Sequence, residues 1–249
     1  ILTGDYAIIH AHYGLSGWVA RMQCLVPVVV TFHGDDILGT PVTKSREQRA
    51  KSKYSLTSRV LAGFNRMLAR LVSGVIVQSV EMRRRCGCPG AKVIPCGVDF
   101  QVFKPIDRAN ACKQLGLDPA KRYVLFPSDP AIPVKNFGLA EAVFKLAKAT
   151  MPDIELLTLN KPVSRDMVVL YMNAADVMLF TSVHEGAGLV VKEAMACNLP
   201  IVLVDVGDVA EVIRGIDNCW VISRNPQEMA DKIIDALKTG RRSNGRERI

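Results

Sequence analysis

The amino-acid sequence predicts an α/β fold made of two doubly wound domains, each built around a parallel sheet. Three observations support this prediction. Short β-branched runs recur along the whole chain, helix-like segments separate most of them, and a proline-punctuated stretch at 95–105, PCGVDFQVFKP, divides the pattern. Apolar strands that alternate with helices are typical of parallel sheets covered on both faces.

The strand-like runs end in turn residues and read, in chain order, YAIIHAH, VPVVVTF, GVIVQS, KVIP, RYVLFPS, IELLTL, DVMLFTS, LPIVLVD and CWVIS. Helix-like segments lie between most of them, among them 135–149, 164–174, 188–197 and 226–238. The last begins NPQE, in which Asn225 is predicted to cap the helix, Pro226 to take the first helical position and Glu228 to complete a capping box. We expect a partial first domain over 1–98 and a second domain over 99–249. Strand ends of both should face a crevice, where open α/β sheets bind ligands.

Composition excludes several classes of protein. Of the 249 residues, 49% are hydrophobic and 22% are charged, so a sizeable core is expected. No apolar run approaches the roughly 20 residues of a membrane-spanning helix. Seven cysteines at irregular spacings indicate free thiols in a reducing, cytoplasmic compartment rather than a disulfide framework. The chain begins mid-pattern without an initiating Met, which we interpret as a fragment that lacks its natural start.

The net charge of +8 is unevenly distributed. Residues 1–104 carry 14 Lys and Arg against 6 Asp and Glu, whereas residues 105–249 carry 18 of each kind. Most of the excess falls in 44–85, where basic residues alternate with Leu, Phe and Met at helical spacing. Two interpretations remain open: a solvated helix face, or a surface for anionic partners such as a membrane or a phosphorylated acceptor. Nucleic acid is not expected, because no recognition motif accompanies the charge.

The basic stretch contains one specific candidate surface. Arg59, Arg66 and Arg70 lie at spacings of seven and four, so they are predicted to share a helix face beside neighbouring leucines. If this face touches a membrane, the protein would be peripheral on the cytoplasmic side.

The most informative stretch is 184–202, HEGAGLVVKEAMACNLPIV. Glu185 precedes two glycines and a helix-prone run, and Glu193 lies within that run. The N–H groups and dipole at the start of a helix favour an anion such as a diphosphate. A carboxylate can accept two hydrogen bonds from a vicinal diol such as a ribose. From spacing alone, both glutamates are also compatible with ordinary helix-edge positions.

Three segments together resemble retaining glycosyltransferases of the GT-B fold, family four (glycosyl transferases group 1). The stretch EGAGLVVKEAMACNLPIVLVDVGDVAEVI is similar to the region in which that family places two glutamates eight positions apart. IPCGVDFQVFKP resembles its interdomain segment, and DYAIIHAHYGLSG followed by VPVVVTFHGDD resembles part of its first domain. The resemblance implies two Rossmann-like domains and transfer of a sugar from a nucleotide-diphosphate donor, with retention and without a required metal or cofactor. The acceptor would be a lipid, a glycan or a small molecule.

The resemblance also implies roles for individual residues. His33 would lie near the transferred sugar, Lys135 would neutralise the diphosphate, and Glu185 would contact sugar hydroxyls. Glu193 would bind the ribose, and the base would rest near Val163. The backbone that faces sugar and phosphates would comprise Gly186, Ala187, Gly188, Leu189 and Val190.

The sequence departs from the family pattern at several positions. Asp129 stands where the family commonly has an arginine, and Cys96 replaces the usual asparagine. Asn198 occupies the place of a glycine, although asparagine tolerates the left-handed conformation. By the same resemblance, we expect the first strands of the first domain and the final crossover helix to lie outside this sequence.

Two alternatives remain open. The chain could be a donor-binding fragment without activity. It could also be a zinc-dependent amidohydrolase-like enzyme, because His10 and His12 lie on the same side of a strand and are suitable zinc ligands.

Overall fold

The computed structural model describes residues 5–39, 56–160, 163–186 and 188–249, and its contacts divide the chain into two compact units. The first unit comprises 1–96 with 185–187, and the second comprises 97–184 with 188–249. Each unit contains one parallel sheet, with four strands in the first and five in the second among the described residues.

In the first unit the strands follow the order β1-β2-β3-β4 across the sheet, and each pairs in parallel with the next. The elements, in chain order, are β1 (Ile9–His12), α1 (Gly14–Arg21), β2 (Val28–Thr31), α2 (Gly34–Leu38), α3 (Leu56–Leu68), β3 (Gly74–Val77), α4 (Val80–Cys86) and β4 (Lys92–Val93). The central strand β2 buries Val28 and Val30, which pack with Phe32, Ile37 and Leu68 in the core of this unit.

The second unit has the order β6-β5-β7-β8-β9, so the chain changes direction across the sheet between β6 and β7. Its elements are α5 (Arg108–Leu115), β5 (Arg122–Phe126), α6 (Phe137–Thr150), β6 (Ile154–Thr158), α7 (Arg165–Ala174), β7 (Val177–Phe180), α8 (Leu189–Ala196), β8 (Ile201–Val204), α9 (Val209–Val212), β9 (Cys219–Ile222) and α10 (Pro226–Thr239). Two short 3₁₀ turns, Pro133–Lys135 and Gly245–Arg248, complete it.

Both faces of the second sheet are covered, as the apolar strands predict. On β7, Met178 and Phe180 belong to a core cluster that includes side chains of α7 and α8. The alternating residues Val177 and Leu179 belong to another cluster that includes side chains of α6 and α10. A strand buried on both faces has no polar alternation, which explains the continuous apolar runs in the sequence.

The predicted cap residue and first residue of α10 are confirmed, but the hydrogen bonds of Glu228 differ from those of a capping box. Asn225 Oδ1 accepts a hydrogen bond from Gln227 N at 3.0 Å, and Pro226 is the first helical residue. A capping box predicts that Glu228 binds the backbone N–H of the cap. In the structure, its carboxylate accepts from Asn225 Nδ2 at 3.1 Å and from Ser223 Oγ at 2.7 Å.

The predicted arginine face is wrong. α3 ends at Leu68, so Arg70 lies in the turn that follows the helix. Arg66 is half-buried and donates a hydrogen bond to Ile37 O at 3.3 Å, whereas Arg59 is exposed. The three charges therefore do not form one solvent-facing row, because tertiary contacts draw Arg66 into the fold. Residues 44–55 of the basic stretch lie outside the described residues.

The structure also bears on the cysteines and on the apolar runs. All seven cysteines are free thiols, and burial raises the pKa of Cys86 to about 11. Within the described ranges, no helix has the length and apolar character needed to cross a membrane.

Candidate functional site

A small cleft opens at the carboxyl ends of β5 and β7 in the second unit. Among the sequence-predicted residues it brings together Lys135 and Val190. The remaining lining consists of Phe126, Pro127, Ser128, Phe180, Thr181 and Ser182. This is the edge of a parallel sheet where ligands of doubly wound domains bind.

Hydrogen bonds hold the Lys135 turn against the end of β7. The buried Thr181 hydroxyl donates to Lys135 O at 2.9 Å, and Val183 N donates to Val134 O at 2.9 Å. The turn ends at Asn136, whose φ of 54° is left-handed and lets α6 begin at once. Lys135 therefore lies in a short turn that is fixed by hydrogen bonds. Thr181 anchors this turn, and the sequence did not predict that role.

The start of α8 is shaped by Gly188. Its φ is +45°, and a Cβ at this position would lie 2.3 Å from Val209 Cγ1. Leu189 is exposed, Val190 is half-buried, and the first turn of α8 carries no acidic residue. Val191 N donates to Gly188 O at 2.9 Å. The N–H groups that open a helix generally lack an acceptor within it, so the very start of α8, at Leu189 and Val190, favours an anion.

Glu193 lies in the second turn of α8 and is half-buried. Burial raises the pKa of its carboxyl to about 7, and the positive charge of Arg165 opposes that rise. Arg165 is the first residue of α7, and its guanidinium lies 5.5 Å from the Phe103 ring centroid. The carboxyl therefore exchanges its proton near neutral pH, where a ligand that donates hydrogen bonds would favour the ionised form.

An ion pair connects α8 with α9. Lys192 Nζ lies 3.9 Å from Asp208 Oδ2, and only 5% of Lys192 is exposed. Sequence reasoning missed both Lys192 and Arg165. A lysine within an apolar helix is a usable signal, because a buried lysine generally has an acidic partner.

Of the other predicted residues of the 184–190 loop, the structure describes some and not others. Glu185 and Gly186 are half-buried in the segment between β7 and α8. Although this segment follows a strand of the second unit, both residues are assigned to the first unit. Ala187 lies outside the described residues. Val163 is half-buried, packs at the edge of a core cluster and precedes Ser164, the cap of α7.

Two departures from the family pattern have structural explanations. Asp129 Oδ1 accepts a hydrogen bond from Ala131 N at 2.8 Å, so it shapes the loop that leads to Lys135. Asn198 adopts φ 54°, the left-handed conformation expected where glycine is usual. Its side-chain oxygen also accepts from Arg246 N at 2.9 Å, a contact that glycine could not provide.

In the first unit, His33 follows β2 and lies in a cluster of polar side chains. Its Nδ1 lies 2.8 Å from Gln78 Nε2, and its Nε2 lies 3.3 Å from His12 Nδ1. Tyr13 stacks on the His33 ring at 4.2 Å, and His33 N donates to Asp36 Oδ2 at 2.9 Å. Burial lowers the pKa of His33, Asp36 raises it, and His12 lowers it.

The histidines predicted as zinc ligands have other contacts. His10 Nε2 lies 2.7 Å from Thr31 Oγ1, and His12 faces His33. Over the part of the chain that the structure describes, no three His, Cys, Asp or Glu side chains are grouped as a metal site.

Comparisons with known proteins agree with this architecture. The model of the Glycosyltransferase Family 4 domain matches residues 1–102, and the model of Glycosyl transferases group 1 matches residues 140–239. The D-inositol 3-phosphate glycosyltransferase of Mycolicibacterium gilvum is 29% identical and aligns with 99% of this chain. The enzyme of the same name from Geodermatophilus obscurus is 26% identical over 94% of the chain. The chain spans 62% and 60% of the length of these two relatives.

Solved structures share the fold at lower identity. Sucrose-phosphate synthase from Thermosynechococcus elongatus matches with a TM-score of 0.73 and 21% identity, covering 99% of this chain and 69% of that one. HepE from Anabaena, in complex with UDP and glucose, matches with a TM-score of 0.69 and 21% identity, over 97% and 72% of the two chains.

Two parallel-sheet units of this topology define a GT-B-type protein, which confirms the predicted fold class. Since two family models match successive parts of the chain, the chain belongs to the group 1, family 4 glycosyltransferases. The site residues named above stay predictions.

Proposed function

We propose that this chain is part of an enzyme that transfers a sugar from a nucleotide-diphosphate donor to an acceptor, with retention of configuration. The observation that carries the proposal is the cleft of the second unit, where Lys135 and the first turn of α8 line one space. The relatives are named as glycosyltransferases, and HepE is seen with UDP and with UDP-glucose, which supports this class of donor.

We propose that the diphosphate of the donor lies beside this small cleft. Negative charge grows on the leaving nucleoside diphosphate as the glycosidic bond breaks, and fixed cations and dipoles stabilise it. Lys135 supplies the cation, and the N-terminus of α8 supplies the dipole and its N–H groups. We propose that these groups stabilise the charge without a metal.

The remaining groups of the donor follow from this placement. Glu193, one turn further along α8, would accept hydrogen bonds from the ribose, and the base would lie near Val163. Glu185 and the backbone of 186–190 would contact the sugar and phosphates. His33, in the first unit, would meet the transferred sugar.

The acceptor is proposed more broadly as a lipid, a glycan or a small molecule. The relatives are named for D-inositol 3-phosphate, an anionic polyol. The basic residues of 44–85 would suit such an acceptor or an anionic membrane surface, and we propose a cytoplasmic location on the evidence of seven free thiols.

Binding measurements test the donor proposal. Calorimetry with UDP, GDP, ADP and the matching nucleosides should show one preferred nucleoside diphosphate. Lys135→Ala should weaken the binding of that nucleoside diphosphate and leave the affinity for the nucleoside unchanged, since the lost charge is proposed to face the phosphates. Lys145→Ala, an exposed lysine of α6 paired with Glu141, is the matched control. Equal losses for nucleotide and nucleoside would contradict the assignment of Lys135.

Glu193 and the reaction itself need separate measurements. Glu193→Ala should weaken nucleotide binding by about 1.5–3 kcal/mol, the range for charge-assisted hydrogen bonds that are left unmade. Sugar release or transfer that persists in a chelator would support metal-independent catalysis. Nucleotide binding without any release or transfer would favour the inactive donor-binding fragment, and bound stoichiometric zinc would favour the hydrolase alternative.

A further inference from the structure

A chain of three polar side chains crosses the carboxyl ends of β1, β2 and β3 in the first unit. Gln78 follows β3 and is only 6% exposed, so its amide has a restricted orientation. Its Nε2 lies 2.8 Å from Nδ1 of His33, which follows β2. Nε2 of His33 then lies 3.3 Å from Nδ1 of His12, the last residue of β1.

These hydrogen bonds have a direction because the Gln78 atom that meets His33 is the amide nitrogen, which can only donate. An amide nitrogen carries two hydrogens and no acceptor lone pair, so His33 Nδ1 must accept from Gln78. A neutral imidazole with an accepting Nδ1 carries its proton on Nε2. His33 Nε2–H then donates to His12 Nδ1, which places the proton of His12 on its own Nε2.

The surrounding groups allow the neutral form of His33. Among the side chains that the structure describes, the titratable ones around the ring are Asp36 from α2, His12 from β1 and Tyr13 from the turn after β1. The Asp36 carboxylate accepts the backbone N–H of His33 at 2.9 Å. Burial and His12 lower the pKa of His33, against the opposing effect of Asp36. A protonated His33 would also direct an N–H at the Gln78 amide, where two donors would meet.

We infer that Gln78 is a positioning residue that holds His33 as a neutral imidazole with its proton on Nε2. His33 then offers a hydrogen-bond donor, and not a proton-accepting nitrogen, to a substrate oxygen that replaces His12. The His12–His33 contact is exposed, so such an oxygen has access to it. The inference deepens the proposed function, because it rests on His33 meeting the transferred sugar.

Nuclear magnetic resonance of the full chain, labelled with ¹⁵N, tests the inference independently of activity. Long-range ¹H–¹⁵N correlation reports which ring nitrogen of each of the four histidines carries a proton, and loss of one set of signals in His33→Asn assigns His33. In the unchanged protein, His33 should show a protonated Nε2 and an unprotonated Nδ1 at neutral pH.

Two substitutions of Gln78 should change this signature in different ways. In Gln78→Glu the new carboxylate should draw the proton to Nδ1 and raise the midpoint of the His33 titration by about 1 pH unit. In Gln78→Met, which keeps the side-chain length without burying a charge, both neutral forms should be populated and the midpoint should rise towards the ordinary value. Gln114→Met, the same substitution on α5 in the second unit, should leave the His33 signals unchanged.

The outcomes separate this inference from the proposed function. A proton on Nδ1 in the unchanged protein would overturn the inference, since it would mean that the Gln78 oxygen faces the ring. An unchanged His33 signature in both Gln78 variants would also overturn it. The expected signature together with undiminished sugar transfer in Gln78→Glu would support the positioning role and contradict the assignment of His33 to the reaction.

Discussion

The half-buried carboxyl of Glu193 is placed for ligand binding, and its ionised form destabilises the folded protein. Its pKa is raised to about 7 by burial, so the folded protein holds a proton that an unfolded chain would release near the ordinary pKa of 4.5. The hydroxyl groups of a donor ribose would give the Glu193 carboxyl the hydrogen bonds that it loses when burial removes it from water. The group is therefore poised for a ligand whose hydroxyls donate to the ionised form.

This shift predicts a pH dependence of stability. Since the folded-state pKa lies above the unfolded one, the contribution of Glu193 is fully present below pH 4.5 and is lost as the pH rises through 7. In the unchanged protein, the free energy of unfolding should be lower at pH 8 than at pH 5. In Glu193→Gln this difference should be smaller by about 2 kcal/mol, allowing for partial exposure. Urea unfolding at the two pH values measures it. Glu211→Gln, an exposed position on α9, should keep the original pH dependence; a loss there too would contradict the assignment to Glu193.

Among the helices, α8 is held at both of its ends by specific contacts. Gly188 lets it begin against Val209, and two arginines from the last segment bind near its C-terminus. Arg242 donates to Ala175 O at 2.7 Å and to Cys197 O at 3.0 Å, and Arg246 donates to Ala196 O at 2.9 Å. Cations at a helix C-terminus satisfy its last carbonyl groups and oppose its dipole.

The start of α8 can be tested with a pair of glycines. Gly188→Ala combines a positive φ with a Cβ 2.3 Å from Val209 Cγ1, whereas Gly116→Ala has a similar φ with nothing within 4 Å. Gly116→Ala should therefore cost about 1 kcal/mol of stability, and Gly188→Ala about 1–3 kcal/mol more. Thermal and urea unfolding give both values. Equal costs would mean that the space beside Val209 adapts and that the close packing is unimportant.

The end of α8 can be tested with neighbouring arginines. Arg242 is half-buried, and burial lowers its pKa to about 10, so it stays charged at neutral pH. Arg242→Met should lower the free energy of unfolding by roughly 3 kcal/mol, because several carbonyl groups lose their donor. Arg241→Met, at an exposed position, should change it by less than about 0.5 kcal/mol. A small effect at position 242 would show that water replaces the guanidinium.

For the molecule as a whole, the uneven charge is the property with the broadest functional consequence. The first 104 residues carry the entire net excess of +8, and the rest of the chain is balanced. Described basic residues of this part include the exposed Arg59, Arg70, Arg83 and Arg84. Exposed apolar side chains of α3, Val60, Phe64 and Met67, accompany them. Such a mixture suits either an anionic surface or a solvated face.

Liposome binding decides between these two interpretations. If the surface meets a membrane, binding should rise with anionic lipid content and fall with salt, by about 1 kcal/mol for each basic residue at the interface. Arg59→Glu with Arg70→Glu should weaken it and leave nucleotide affinity unchanged. Arg66 is left intact because it bonds to Ile37 O, and its loss would disturb the fold. Absence of binding to anionic liposomes even at low salt would favour a solvated face and a soluble acceptor.

Local patterns in the sequence determined much of this protein. Nine β-branched runs predicted the strands observed over the described residues, and the NPQE signal placed the start of α10 at Pro226. Asn198 could be predicted to replace glycine, because its left-handed conformation depends on its own side chain. These features were predictable since strand period, capping and backbone preference all act between near neighbours in the chain.

Only the tertiary structure decided which distant groups meet. The pKa of Glu193 depends on burial, the proton of His33 depends on Gln78 45 residues away, and Arg246 reaches back 146 residues to Phe100 O. The arginine face of α3 was predicted wrongly for the same reason, because helical spacing reports a shared side and not the contact that draws Arg66 to Ile37. Periodicity specifies the faces of elements, whereas electrostatics and hydrogen bonding at a site depend on neighbours that packing brings together.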